Sequence, residues 1–206
     1  MFNQSIGTFM RSVVMRCGRM IVALWLLVMA GTASLSAAED SLTISTNHYV
    51  VTGSTPAEVR NSIDRARPGG RASGTDALTT WKINWRSRVS TVNGQCQLDS
   101  LTVETTISIV LPSWRPPTNA PPQMLKRWAS YYSALQKHEL NHAESGKLAA
   151  KELRRRISEV PPQTDRRSLQ SQIENVAAEV IAKYKQRDAD YDRETAHGLK
   201  EGARWP

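Results

Sequence analysis

Two histidines four residues apart, His138 and His142, enclose a glutamate in the run His138-Glu139-Leu140-Asn141-His142. On a helix, positions i and i+4 share a face, so both imidazoles can offer a ring nitrogen to one cation. Glu139 follows the first of them directly, where it can deprotonate or orient a water held by that cation. This is the H-E-x-x-H arrangement of zinc hydrolases, in which one Zn²⁺ activates water and the glutamate serves as general base.

A catalytic zinc usually keeps three protein ligands and leaves a fourth position open. The third ligand must lie outside the motif. A metzincin would place glycine three residues after the second histidine and another histidine three further on, but this chain has Ser145 and Leu148 there, which excludes that class. The remaining candidates are Glu144, Glu152, Glu174, Glu179, Asp188, Asp192, Glu194 and His197. Only four histidines occur, and His48 falls in a strand-like run. His197 is the first choice, in a short polar segment followed by Gly198, with the carboxylates of the second long helix as alternatives. Tyr191 is a candidate donor to the tetrahedral oxyanion, and Asp192 a candidate partner for the distal nitrogen of a ligating imidazole.

The motif needs a helix, and the flanking sequence supplies one. Met124, Leu125, Trp128, Tyr131, Tyr132 and Leu135 precede it, and Leu148, Ala149, Leu153 and Ile157 follow at helical spacing. No proline interrupts residues 123–159, so one helix is expected from about Pro122 to Val160. A second is expected from about Arg167 to Asp190 on the stripe Leu169, Ile173, Val176, Ala177, Val180, Ile181 and Tyr184. Pro161 and Pro162 separate the two, which predicts an antiparallel helical hairpin. The tail 191–198 is then long enough to fold back toward the motif.

Upstream of the helices the period changes to two. Ser41 to Thr52 alternates and is rich in β-branched residues, which predicts a strand. Thr55-Pro56-Ala57-Glu58 has the hydroxyl cap, proline and glutamate of a helix start, with Pro68-Gly69-Gly70 as the stop. Trp81, Ile83 and Trp85 alternate with Lys82, Asn84 and Arg86. Asn93-Gly94 is a strong hairpin turn, and Leu101, Val103, Thr105, Ile107, Ile109 and Leu111 define the returning strand. The expected fold class is α+β: a small antiparallel sheet packed on a C-terminal antiparallel helical hairpin that carries the H-E-x-x-H motif, a zincin-like arrangement. The tryptophans are expected to pack in the core, and an edge strand beside the metal can hold an extended peptide by main-chain hydrogen bonds.

The chain has 206 residues, enough for one sizeable core. Residues 1–38 read as a signal peptide: Arg11, Arg16 and Arg19 precede an apolar run from Ile21 to Ala30, and Ser36-Ala37-Ala38 offers a small-residue cleavage site. Residues 39–206 are then a single domain, exported to the periplasm or beyond, with no stable membrane insertion after cleavage. Three of the 27 basic residues and none of the 19 acidic ones lie in that leader, so the remainder is only moderately basic. Its Arg154-Arg155-Arg156 and Arg166-Arg167 clusters flank the helix turn without interleaved aromatics, which argues against a nucleic-acid surface. Cys96 alone remains outside the leader, as a buried thiol in a strand, and rules out an internal disulfide there.

The motif, Gly53-Ser54-Thr55, Thr80-Trp81-Lys82-Ile83-Asn84-Trp85, the Cys96 strand, Leu111-Pro112-Ser113-Trp114, and Tyr191-Asp192 with Thr195-Ala196-His197-Gly198 together resemble a bacterial family of predicted secreted zinc-dependent proteases, domain-of-unknown-function family 922. The resemblance implies a zinc peptidase exported from a bacterial cytoplasm, acting on a peptide or protein substrate. The rival expectation is a non-catalytic zinc-binding or protein-interaction domain of the cell envelope.

Overall fold

The Asn93-Gly94 turn joins the two longest strands, β2 (Leu78–Val92) and β3 (Gln95–Trp114), as an antiparallel hairpin. Both turn residues have positive φ, 52° and 77°, the backbone that a two-residue turn requires and that asparagine and glycine accept. In the computed structural model, which describes residues 39–206, the hairpin is completed by β1 (Ser41–Val51). The proposed leader, residues 1–38, lies outside the described residues.

The sheet order is β1-β3-β2, with β1 parallel to β3. The sheet is therefore mixed, which corrects the expectation of an antiparallel one. After β1 the chain crosses to the far edge through α1 (Pro56–Ala66) and a short 3-10 turn before it enters β2. β3 returns antiparallel to β2 and so runs in the direction of β1, between the two. The start of α1 forms as the sequence predicts: Thr55 Oγ1 accepts from Glu58 N, and Glu58 reaches back to the Thr55 main-chain N–H at 3.2 Å.

The hairpin strands alternate as expected. Ile83, Leu101, Val103, Ile107, Ile109 and Leu111 are buried, while Lys82, Asn84 and Arg86 face solvent. The register shifts between Arg88 and Val89, where Asp99 is the extra residue of β3. That bulge moves Cys96 to the buried side, as a free thiol.

Two long helices cover the sheet: α2 (Pro122–Ser158) and α3 (Arg166–Thr195). They run antiparallel, tied by Arg156 to Glu179 and Lys183 to Glu152. α3 extends five residues past the expected end at Asp190, so Tyr191 and Asp192 are helical rather than part of a returning tail. Glycine 146 is where α2 lies on β2: a Cβ there would meet Trp81 Cβ at 2.8 Å and Cγ at 2.9 Å.

The core divides along α2. One cluster gathers Val51, Val59, Ile63, Leu111, Trp114, Tyr131, Leu135 and Trp205; the other gathers Ile83, Val103, Leu153, Ile157, Leu169, Ile173 and Val180. His138 and His142 lie on α2 between Leu135 of the first cluster and Ala149 of the second. No helix among the described residues is long and apolar enough to cross a membrane.

Candidate metal centre

His138 and His142 are one turn apart on α2, and Asp188 and Asp192 one turn apart on α3. Because the helices are antiparallel, the two pairs face each other. Asp192 Oδ1 lies 3.0 Å from Nε2 of both histidines, and the two Nε2 atoms are 3.3 Å apart. Behind the rings, His138 Nδ1 lies 3.0 Å from Glu201 Oε2 and His142 Nδ1 lies 3.2 Å from Asp188 Oδ1. Trp81 Nε1 in turn donates to Asp188 Oδ2 at 2.7 Å.

These distances decide the chemistry. A carboxylate only accepts, so Glu201 and Asp188 favour a hydrogen on each Nδ1, and in that tautomer an uncharged ring directs an Nε2 lone pair toward Asp192. Two lone pairs and a carboxylate oxygen then converge within 3.0–3.3 Å, an arrangement that repels itself unless a cation or added protons lie between. Donors bound tetrahedrally at about 2.0–2.1 Å stand about 3.3 Å from one another, so the observed triangle has the spacing of ligands around one small metal ion. His138, His142 and Asp192 thus form a group able to hold a metal ion. The carboxylates behind the rings are the usual orienting partners of metal-bound histidines.

Charge follows the same pattern. Burial lowers the affinity of the His142 ring for a proton, but the Asp188 hydrogen bond and the charge of Asp192 outweigh it, and the pKa is raised. Burial also works against ionised Asp188, yet His142 and Trp81 hold its carboxyl below the usual range. Glu139 differs. Burial pushes its carboxyl above the usual range, against the opposing influence of Thr79 and the two histidines. Its Oε2 is buried without a hydrogen-bond partner among the described residues, which a protein tolerates mainly where a water, ion or reacting group completes the site.

His138, Glu139, His142, Asp188, Asp192 and His197 line one cleft of about 130 Å³. Its opposite wall is Thr75–Thr79, the approach to β2. That wall is fixed twice. Thr79 Oγ1 donates to the Glu139 main-chain oxygen at 3.1 Å, and the Asp76 carboxylate accepts from Arg60, Arg67 and Tyr131 at 2.6–2.9 Å. A larger hollow of about 500 Å³ lies between Leu42, Val103 and Lys151. It is lined by no histidine and one acidic residue, so the histidine and carboxylate candidates gather in the smaller cleft instead.

The expected site residues come together with altered places. His138, Glu139 and His142 are buried as the motif requires. His197 reaches the cleft, but its Nδ1 is 3.4 Å from Asp192 Oδ1 and its side chain is 52% exposed. The position beside both Nε2 atoms is held by Asp192, not by His197. Ala196, His197 and Gly198 all adopt left-handed backbone, φ 51°, 54° and 80°, and stop α3 beside the site. Tyr191 stacks on the His138 ring, centroids 4.8 Å apart, and its hydroxyl donates to Glu201 at 2.9 Å. That hydroxyl is engaged rather than free for an oxyanion.

Sequence reasoning missed Glu201 entirely and weighed Asp188 only as a ligand. Asp188 was detectable as the residue one turn before Asp192 on the helix. No local signal marks Glu201, which arrives by a chain reversal after residue 198. No curated protein and no solved structure matches the chain. A model of the family described as "Bacterial protein of unknown function (DUF922)" matches residues 46–198, a span that holds both helices and every candidate site residue except Glu201. The chain belongs to this DUF922 family of bacterial proteins.

Proposed function

We propose that the chain is an exported zinc-dependent endopeptidase. The observation that carries this reading is the triangle of His138 Nε2, His142 Nε2 and Asp192 Oδ1, with the unpartnered Glu139 Oε2 buried in the same cleft. His138, His142 and Asp192 would hold the ion. A zinc ion bound there supplies Lewis acidity and a water of lowered pKa.

The chain's own residues do the rest. Glu139, desolvated and raised in pKa, takes a proton from the attacking water and passes it to the amine as the peptide C–N bond breaks. Asp188 and Glu201 keep the two rings in the tautomer that leaves Nε2 free. Among the described residues β2 has one unpaired edge, since the sheet order is β1-β3-β2. Its first residues wall the cleft, so an extended peptide hydrogen-bonded along that edge would pass the site. Export rests on the charged, apolar and small-residue segments of residues 1–38.

The test uses residues 39–206 loaded with zinc. The wild type should cleave casein or a mixed peptide library. Glu139→Gln should keep one zinc per chain and lose cleavage by at least about 100-fold, the scale of a removed general base. Zinc-loaded wild type that cleaves neither overturns the peptidase reading. One observation favours a second reading, a closed non-catalytic zinc site: His197 lines the same cleft with its Nδ1 3.4 Å from Asp192 Oδ1, so a modest shift of the ring would supply a fourth ligand. Spectra of the cobalt-substituted protein that do not change with added anions or inhibitors would support that alternative.

A further inference from the structure

We infer that the C-terminal segment after Gly198 is a working part of the metal centre: Glu201 sets the orientation of His138, and Trp205, packed away from the ion, holds Glu201 in place. The inference rests on the metal reading above and goes beyond the family match, which ends at residue 198.

Glu201 meets His138 on the side away from the metal triangle. Its Oε2 is 3.0 Å from Nδ1, and both its oxygens lie 2.9 Å from the Tyr191 hydroxyl. Tyr191 covers the face of the same ring with an interplanar angle of 18°. The imidazole is therefore fixed in plane by one carboxylate and over its face by one phenol, and that carboxylate also holds the phenol. Losing Glu201 loosens both constraints.

Glu201 is not placed by α3. The chain leaves that helix at Ala196, makes the single 3-10 turn Leu199–Glu201, and reverses so that Ala203 N donates to Gly198 O at 3.0 Å. Beyond the reversal, Ala203 and Trp205 are buried. Trp205 Nε1 donates to the Pro56 main-chain oxygen at 2.9 Å. Its ring packs on Trp128 and Tyr131 at centroid distances of 5.5 and 5.7 Å. The segment is thus a strap, with its anchor between α1 and α2 and its Glu201 carboxylate on His138. Asp188 does the same work for His142 from within α3, steadied by Trp81. The two histidines therefore have supports of separate origin.

The experiment measures zinc affinity by competition with a chromophoric chelator, together with thermal unfolding of the metal-free protein. Loss of such an orienting partner weakens metal binding by about 10–100-fold. Glu201→Ala should show that loss, and Glu201→Gln, whose amide oxygen still accepts from Nδ1–H, should fall between it and wild type. Trp205→Phe, which keeps an aromatic ring and loses the bond to Pro56, should weaken zinc in the same direction though it touches no ligand. The cobalt-substituted variants should show shifted d–d bands, a signature that a purely structural role would not move. Wild type that binds zinc with Glu201→Ala binding it equally well refutes the inference and leaves the metal reading intact. Unchanged affinity in Trp205→Phe refutes the anchor. Wild type that takes up no zinc refutes the metal reading, and this inference falls with it.

Discussion

Gly146→Ala offers a test in which the sign of the effect carries the information. In a helix interior, alanine is favoured over glycine by about 1 kcal/mol, so the substitution should stabilise α2 if nothing touches position 146. The structure places Trp81 there. The added methyl would lie 2.8 Å from Trp81 Cβ and 2.9 Å from Cγ, short of ordinary carbon contact by roughly 0.6–1.2 Å. Those atoms sit next to the β2 main chain and cannot swing aside as a side-chain tip would. Overpacking of this kind costs about 1–3 kcal/mol. Moving the indole also strains its hydrogen bond to Asp188, a bond to a charged group of the class worth about 1.5–3 kcal/mol. Setting the helix gain against these losses leaves a net destabilisation of about 2 kcal/mol. For a domain of this size that is a fall of about 4–8 °C in the melting temperature. Circular dichroism melts of the metal-free protein read it directly, and zinc competition should show weaker binding as Asp188 shifts from His142. A variant that melts at or above the wild-type temperature with unchanged zinc affinity would refute the stated packing of α2 on β2.

Two further predictions concern the third ligand and acid stability. Asp192→Ala should abolish tight zinc binding, whereas His197→Ala should weaken it by less than about tenfold; the reverse order would return the ligand role to His197. Asp76 should make the protein acid-sensitive. Its burial raises the carboxyl pKa, but hydrogen bonds from Arg60, Tyr131 and Arg67 more than reverse this and hold it below the usual value. A depressed carboxyl stabilises the fold fully above its unfolded pKa of about 3.9 and loses that contribution as pH falls through the folded value. Asp76→Asn removes one of the two carboxylates that Arg60 and Arg67 share, Asp64 being the other, and should cost about 1.5–3 kcal/mol near neutrality, the scale of hydrogen bonds to a charged group. Urea unfolding should show the gap between wild type and variant closing below about pH 4.

The elements that bury an apolar face were legible. β2 and β3 alternate, α2 carries its stripe without proline, and α1 begins at a capping box, so each declares itself within its own residues. Partners distant in sequence do not. Nothing in Ser41–Val51 says that it pairs parallel with β3, because the strand is mostly exposed and its polar positions suit either direction. The tail shows the same limit: Trp205 is buried against Trp114 and Tyr131, but a lone tryptophan after Gly202-Ala203-Arg204 has no period to reveal its neighbours.

The site explains why the end of α3 was misplaced. The apolar stripe stops at Tyr184, and a reading that equates helix with apolar period must stop soon after. The helix continues because the same face continues: Asp188 and Asp192 are the next positions along it, one and two turns on, and they meet His142 and His138 instead of an apolar surface. Candidate ligand residues stand where core residues would have spaced out the helix. The signal that remained was the i, i+4 pair of acids, the counterpart of the i, i+4 pair of histidines. Two antiparallel helices, each with a turn-spaced polar pair interrupting an apolar stripe, must bring those pairs together or leave both buried without partners. That physical necessity favours Asp192 over His197, and it applies to the backbone of α3 before any metal is considered.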